Sequence, residues 1–401
     1  MDGIDRRRLM KGTAITGLAF SISGTQSVLT ARHSHAQEVS RGRAWPNRAL
    51  IDRLKLAHPL IQAPMGGAVS PDMVVAVSQA GGLGSLPGTP LTPARLREEV
   101  AKIRARMDKP INLNFFCHPT PQRDEASEAA WRKRLAPYYA ELGLDPNAAA
   151  PAIRSFDAEM CEAVVELKPD VVSFHFGLPE TTLVERVKAA GSLVISSATT
   201  VKEARWLENH GADAIIAQGA EAGGHRGMFL TSEVASQVGT LALVPQVVDA
   251  VRVPVIAAGG IADGRGIAAA FALGASAVQM GTAYLFCPEA LVSVPHRVAL
   301  KAAHDDSTVF TNVATGRPYR AIVNRIVREV GPLASEIPTF PLALTAVGPL
   351  RAKAESQGSG DFTALYAGQA AALGRELPAA ELTLKLANEA LDKLGTLGRA
   401  S

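Results

Sequence analysis

From Pro59 onward the chain alternates short, almost uninterrupted apolar runs with stretches of helical period. The runs cover residues 59–65, 83–86, 111–116, 171–176, 193–198, 214–218, 254–258 and 277–280. Runs apolar at every position suit strands buried on both faces, which means a parallel sheet. Between them, stretches such as 93–107, 162–168, 182–190, 201–210, 245–251 and 264–273 carry one apolar stripe, as helices covering such a sheet do. Eight strand–helix units in roughly 230 residues predict an α/β fold, a closed (β/α)8 TIM barrel over 59–287. An open doubly wound sheet is the alternative. The Gly-rich stretch 80–87 half-matches a dinucleotide fingerprint, but it precedes its strand and has Pro87 at the third glycine.

The remaining segments break this rhythm. Residues 117–152, with Trp131, Tyr138 and Tyr139, are too long for a barrel loop and are expected to form helices over the barrel mouth. Residues 288–401 are expected to supply the last barrel helix and a smaller helical capping domain. Residues 37–58 read as an N-terminal linker, and 1–36 as an address. Three arginines at 6–8 precede a short, weakly apolar stretch, and Ser34-His35-Ala36 fits a small-x-small cleavage site. This pattern is similar to a twin-arginine export signal cut after Ala36, with the twin-arginine translocase as partner and a periplasmic or exported product.

Charge sharpens the picture by its absence. The 401 residues hold 41 basic and 38 acidic side chains. The first 36 account for five basic residues and two acidic, so the rest balances at 36 of each. A neutral body argues against binding nucleic acid through phosphate neutralisation. Three cysteines make neither a disulfide framework nor a four-cysteine zinc site. No run approaches the roughly 20 apolar residues of a membrane span.

Candidate chemistry collects where strands end, the side on which such barrels carry their sites. The seventh run closes on Gly259-Gly260 and the eighth on Gly281-Thr282, each with a helix start nearby. Glycines that expose backbone N–H groups beside helix N-termini make a phosphate site. The sixth run leads into Gly223-Gly224-His225. A histidine on a glycine-rich loop at a barrel mouth is placed for proton transfer near neutral pH, so His225 is the candidate catalytic residue. His175 and, more weakly, His118 are expected to line the substrate pocket. Strand alternation should turn Phe174 and Phe176 away from His175. No metal-ligand spacing is present.

These motifs together resemble a known family. Gln62-Ala63-Pro64-Met65, Asn114-Phe115, Ser173 to Gly177, Gln218-Gly219-x-Glu221-Ala222-Gly223-Gly224-His225, Ala257 to Ile261 and Gln279-Met280-Gly281-Thr282 are similar to the nitronate monooxygenases, formerly 2-nitropropane dioxygenases. Arg320 to Arg325 and Ala367-Gly368-Gln369 extend the likeness into the tail. The resemblance implies an FMN-dependent barrel that oxidises alkyl nitronates with O2 to a carbonyl compound and nitrite through a flavin semiquinone. It implies FMN held by Met65, Asn114, Gln218, Gly223, Gly260, Gln279, Met280, Gly281 and Thr282, and His225 as base. An NAD(P)H-dependent quinone or enoyl-thioester reductase on the same scaffold, or an exported flavin-binding protein without turnover, are the alternatives. Arg226, Arg317 and Arg325 are candidate partners for a substrate carboxylate.

Overall fold

The computed structural model describes residues 44–150 and 153–398. The address segment 1–36 and residues 37–43 lie outside the described residues. Eight parallel strands form one sheet in the order β1-β9-β8-β6-β5-β4-β3-β2. They are β1 (Leu60–Gln62), β2 (Gly84–Pro87), β3 (Ile111–Phe116), β4 (Val171–His175), β5 (Leu193–Ala198), β6 (Ala214–Gln218), β8 (Val255–Ala258) and β9 (Ala277–Met280). A parallel bridge between Ile61 and Leu83 joins β1 to the start of β2 and closes the ring. The expected TIM barrel is therefore present, and the open sheet is excluded.

Local chemistry sets where the barrel helices begin. Helix α2 (Pro71–Gln79) starts with Pro71, and the hydroxyl of Ser70 accepts from Met73 N. Helix α3 (Pro93–Arg104) repeats the device with Thr92 and Pro93. The hydroxyl or carboxylate satisfies an orphan N–H of the first turn, while proline fixes a helical φ where no N–H is needed. Helices α5 (Ala158–Leu167), α7 (Val201–Asn209) and α9 (Gly264–Ala272) are capped by Asp157, Thr200 and Asp263. Helices α6 (Thr181–Ala189) and α8 (Thr240–Val248) complete the run before β9.

Three departures from the sequence reading position the site. First, the expected linker is packed from Trp45 onward: Trp45 is 5% exposed and lies 5.3 Å from the Phe271 ring. A short helix, α1 (Ala49–Leu54), follows, and Leu50, Leu54 and Leu56 join Ile61, Ile195, Ile216 and Ile256 in one cluster. That cluster fills the end of the barrel opposite the loops. Second, the helix that seals the barrel between α9 and α2 is α14 (Ala379–Leu397), the last helix of the chain. The cap is thus inserted between the eighth barrel strand and its own helix. Third, the cap is not purely helical. Strands β10 (Thr308–Thr311) and β11 (Tyr319–Ile322) pair antiparallel, and β11 also pairs with β7 (Gly224–His225). Around them lie α4 (Glu125–Glu141), α10 (Thr282–Leu285), α11 (Val294–Lys301), α12 (Arg325–Val330) and α13 (Leu342–Ser356). Trp131, Leu135, Tyr138 and Tyr139 of α4 share a second core with Val347 and Leu350 of α13.

Candidate active site

A cavity of about 600 Å³ opens at the C-terminal ends of the barrel strands. That size suits a cofactor-scale ligand. Its floor is built by Met65, Asn114, Gln218, Gly223, Gly260, Gln279, Met280, Gly281 and Thr282, all of which line it. Its roof comes from the cap, through Thr315, Leu344, Arg351, Thr363 and Tyr366. Gly259 and Gly260 sit at φ +114° and +67°, a backbone that L side chains rarely adopt, which explains their identity. The N–H groups of Gly260 and Gly281 have no hydrogen-bond acceptor among the described residues. Gln279 Oε1 is buried without a partner. Free donors and an orphaned amide around one cavity fit a polar, phosphate-bearing ligand.

The sixth-strand loop comes close to the tail at glycines. A Cβ on Gly223 would stand 2.6 Å from the Gly368 nitrogen, and one on Gly368 would stand 2.7 Å from Glu221 O. Only glycine at both positions allows this approach. Beyond it, the short β7 pairs Tyr319 with His225 and so fixes the His225 backbone against the cap. The His225 carbonyl accepts from Gln218 Nε2 at 3.0 Å and meets His175 Nε2 at 3.1 Å. The His225 Nε2 lies 3.0 Å from Thr315 Oγ1. Rings of Phe116, Phe176, Tyr319, Phe340 and Tyr366 stand between 5.4 and 5.9 Å from the His225 ring. In that box the imidazolium is desolvated, and burial, with His175 and Arg317 nearby, pushes the His225 pKa down to about 3. His225 is therefore a neutral imidazole at physiological pH.

The family model described as nitronate monooxygenase matches residues 47–389. The chain belongs to the nitronate monooxygenase family. It is 44% identical to the nitronate monooxygenase of Pseudomonas aeruginosa over 340 residues, covering 84% of this chain and 97% of that one. A solved nitroalkane oxidase from Streptomyces ansochromogenes superposes with a TM-score of 0.79 at 38% identity, covering 87% of this chain and 99% of that one. FabK from Thermotoga maritima gives 0.69 at 29% identity, covering 89% and 100%. The chain is thus an enzyme, a nitronate monooxygenase by family.

Within this nitronate monooxygenase barrel, the residues singled out from sequence do not all meet. His175 lines the cavity, with its ring held between Ser197 Oγ and the His225 carbonyl. Phe176 breaks the expected alternation. It sits at φ +72°, and its ring comes to 4.6 Å from that of His175. His118 is buried against Phe340 at 4.9 Å and is not part of the cavity wall. Gln218 lines the cavity, but its amide also accepts from Gly227 N at 2.7 Å, so it braces the loop as well. None of the three candidate arginines lines the cavity. Arg226 is enclosed behind the loop, Arg317 lies on the Phe176 ring at 3.9 Å, and Arg325 pairs with Glu141 and Glu329. The sequence reading missed Thr315, Tyr319, Phe340 and Tyr366. They lie in a tail of irregular period, where the pairing of β7 with β11 sets Tyr319 opposite His225 and Phe340 packs on Phe116 and Phe176.

Proposed function

We propose that this enzyme binds FMN and oxidises alkyl nitronates with O2 to a carbonyl compound and nitrite, accepting neutral nitroalkanes after removal of the α-proton. The observation that carries the reading is a neutral histidine, His225, braced at the wall of a cavity with free backbone donors at its far glycines. FMN would be held by Met65, Asn114, Gln218, Gly223 and Gln279, with its phosphate at Gly260, Gly281 and Thr282. When bound, it supplies the electron transfer between nitronate and O2.

The chain's own part is positioning and proton transfer. Nε2 of His225 is engaged with Thr315 Oγ1, and Thr315 Oγ1 can donate to Arg317 O at 3.2 Å. In that arrangement Nε2 keeps its hydrogen, and Nδ1 is left as the lone pair that takes the α-proton. General-base assistance of this kind is typically worth ~100–10,000-fold. The aromatic box excludes water from the proton's path.

The test separates proton removal from oxidation. His225→Asn keeps a polar group but accepts no proton at neutral pH. With FMN content intact, nitroethane turnover should fall ~100-fold or more while a substantial share of ethyl nitronate turnover survives. Equal losses on both substrates refute the base assignment. Release of a chromophore other than FMN on denaturation refutes the cofactor.

A second reading on the same scaffold is reduction of a quinone or an enoyl thioester with NAD(P)H. Anaerobic NADH oxidation dependent on a quinone, with no nitronate turnover in air, would decide for it. We also propose export through the twin-arginine translocase with cleavage after Ala36. Among the described residues packing begins at Trp45, downstream of that cut.

A further inference from the structure

Arg226 follows the catalytic candidate directly, yet its side chain is 0% exposed and does not line the cavity. Its three hydrogen bonds go to neutral acceptors. Nη2 donates to Gln218 O at 2.7 Å, Nη1 to Gly219 O at 2.8 Å, and Nε to Gln237 Oε1 at 3.0 Å. Arg320, on β11, donates from Nε to Ala220 O at 2.8 Å and from Nη1 to Thr308. Both guanidinium groups lie near the ring of Phe310, at 5.7 and 4.2 Å from its centroid. Two cations thus hold three consecutive carbonyls, those of residues 218, 219 and 220, at the point where the sixth strand becomes the Gly-Gly-His loop. At the loop's far end the buried carboxylate of Glu203 accepts from Phe229 N at 2.6 Å and Leu230 N at 3.1 Å.

Burying a guanidinium without a bonded carboxylate carries a large desolvation penalty. Burial pushes the Arg226 pKa down to about 9, so the group stays charged at neutral pH. An apolar side chain of similar volume would avoid that cost and still fill the space. What it could not do is orient two peptide planes and the Gln237 amide at once. A guanidinium presents its donors as a fixed planar fork, and Arg226 uses all three of its nitrogens at once.

We propose that Arg226 is a positioning residue for His225: with Arg320 across Phe310 it clamps the carbonyls of residues 218–220 and so sets where the imidazole meets the substrate carbon. The proposal rests on the assignment of His225 as base. Its consequence is kinetic, because misplacement of a reacting group by about 1 Å can cost ~100-fold.

The test uses full-length, flavin-loaded enzyme and Arg226→Lys, which retains charge and most of the volume but not the fork. Tm, flavin content, steady-state rates and hydrogen exchange over residues 219–230 are measured together. The expected result is wild-type flavin content and faster exchange confined to that loop. Nitroethane kcat should fall ~10- to 100-fold with little change in KM, and ethyl nitronate kcat should stay within a few-fold of wild type. Unchanged exchange with an unchanged nitroethane rate overturns the clamp. Equal losses on both substrates at full flavin content also overturn it. If wild-type enzyme turns over neither substrate, the base assignment has failed, and exchange alone decides: protection unchanged by the substitution overturns the clamp. Should Arg226→Lys not fold, Arg320→Lys and Phe310→Leu are read by the same criteria, and the clamp falls if neither gives the selective pattern.

Discussion

His225 shows how much an environment can change a side chain. In water its imidazole would be half protonated near pH 6.5, and the neutral fraction able to act as a base would fall steadily below that. Inside five aromatic rings its pKa is pushed down to about 3. Turnover of nitroethane should therefore show no fall centred on pH 6.5. Measured as kcat/KM between pH 5.5 and 8 on enzyme checked for retained fold, it should lack an acidic limb attributable to His225. A limb with an apparent pKa near 6.5 would show that the resting histidine is solvated. A second residue-scale prediction concerns Gly223. A methyl group there collides with the backbone of Ala367 and Gly368, which cannot swing aside as a side-chain tip could. Gly223→Ala should cost about 1–3 kcal/mol, read as a lower midpoint in urea, and should loosen flavin binding.

At the scale of elements, legibility followed periodicity. The barrel strands announced themselves as apolar runs because both faces of each are buried. The glycines after β8 were readable because a left-handed backbone leaves few other residue types, whereas Gly281 after β9 sits at φ −104° and is under no such constraint. The two-residue β7 had no period to read, and β10 and β11 lie in a stretch that alternates too briefly to signal strands. The site's floor was therefore visible in the sequence, and its roof was not. His118 illustrates the converse error: a histidine just past a strand end looks like a pocket residue, yet burial against Phe340 takes it out of the wall. Helix capping offers a direct test at this scale. Asp263 accepts from Arg265 N and Gly266 N at the start of α9, beside the glycines of the cavity. Asp263→Ala should cost about 0.5–2 kcal/mol, seen as a Tm lower by a few degrees, because two first-turn N–H groups lose their acceptor.

For the whole molecule, the buried histidines become a liability in acid. His175 and His225 are each held to about 3 and His118 to about 4, all by burial first. Each folded-state pKa lies below the unfolded value near 6.5, so the unfolded chain binds more protons as pH falls. Stability from these groups is complete above about pH 7 and drains away below 6.5. At pH 5.5 each costs about 1.4 kcal/mol relative to pH 7.5, or about 4 kcal/mol for the three if they act independently. Urea midpoints measured across that interval should drop accordingly, and replacing His118 by Asn should flatten the slope by about a third if its new neighbours are tolerated.

The placement of α14 carries a consequence for synthesis. The groove between α2 and α9 is filled by residues 379–397, among them Leu382, Leu386 and Ala390, all buried. A ribosome makes all eight barrel strands and then the whole cap before the chain reaches them. Until that moment the nascent barrel has an open apolar flank, the kind of surface on which partly made proteins aggregate. Residues 379–397 thus act as the seal, and the barrel stays open until they have been made. Deleting residues 379–401 should produce insoluble protein, although the described residues of that segment contribute nothing to the cavity wall, and supplying it in trans as a peptide should recover part of the soluble fraction.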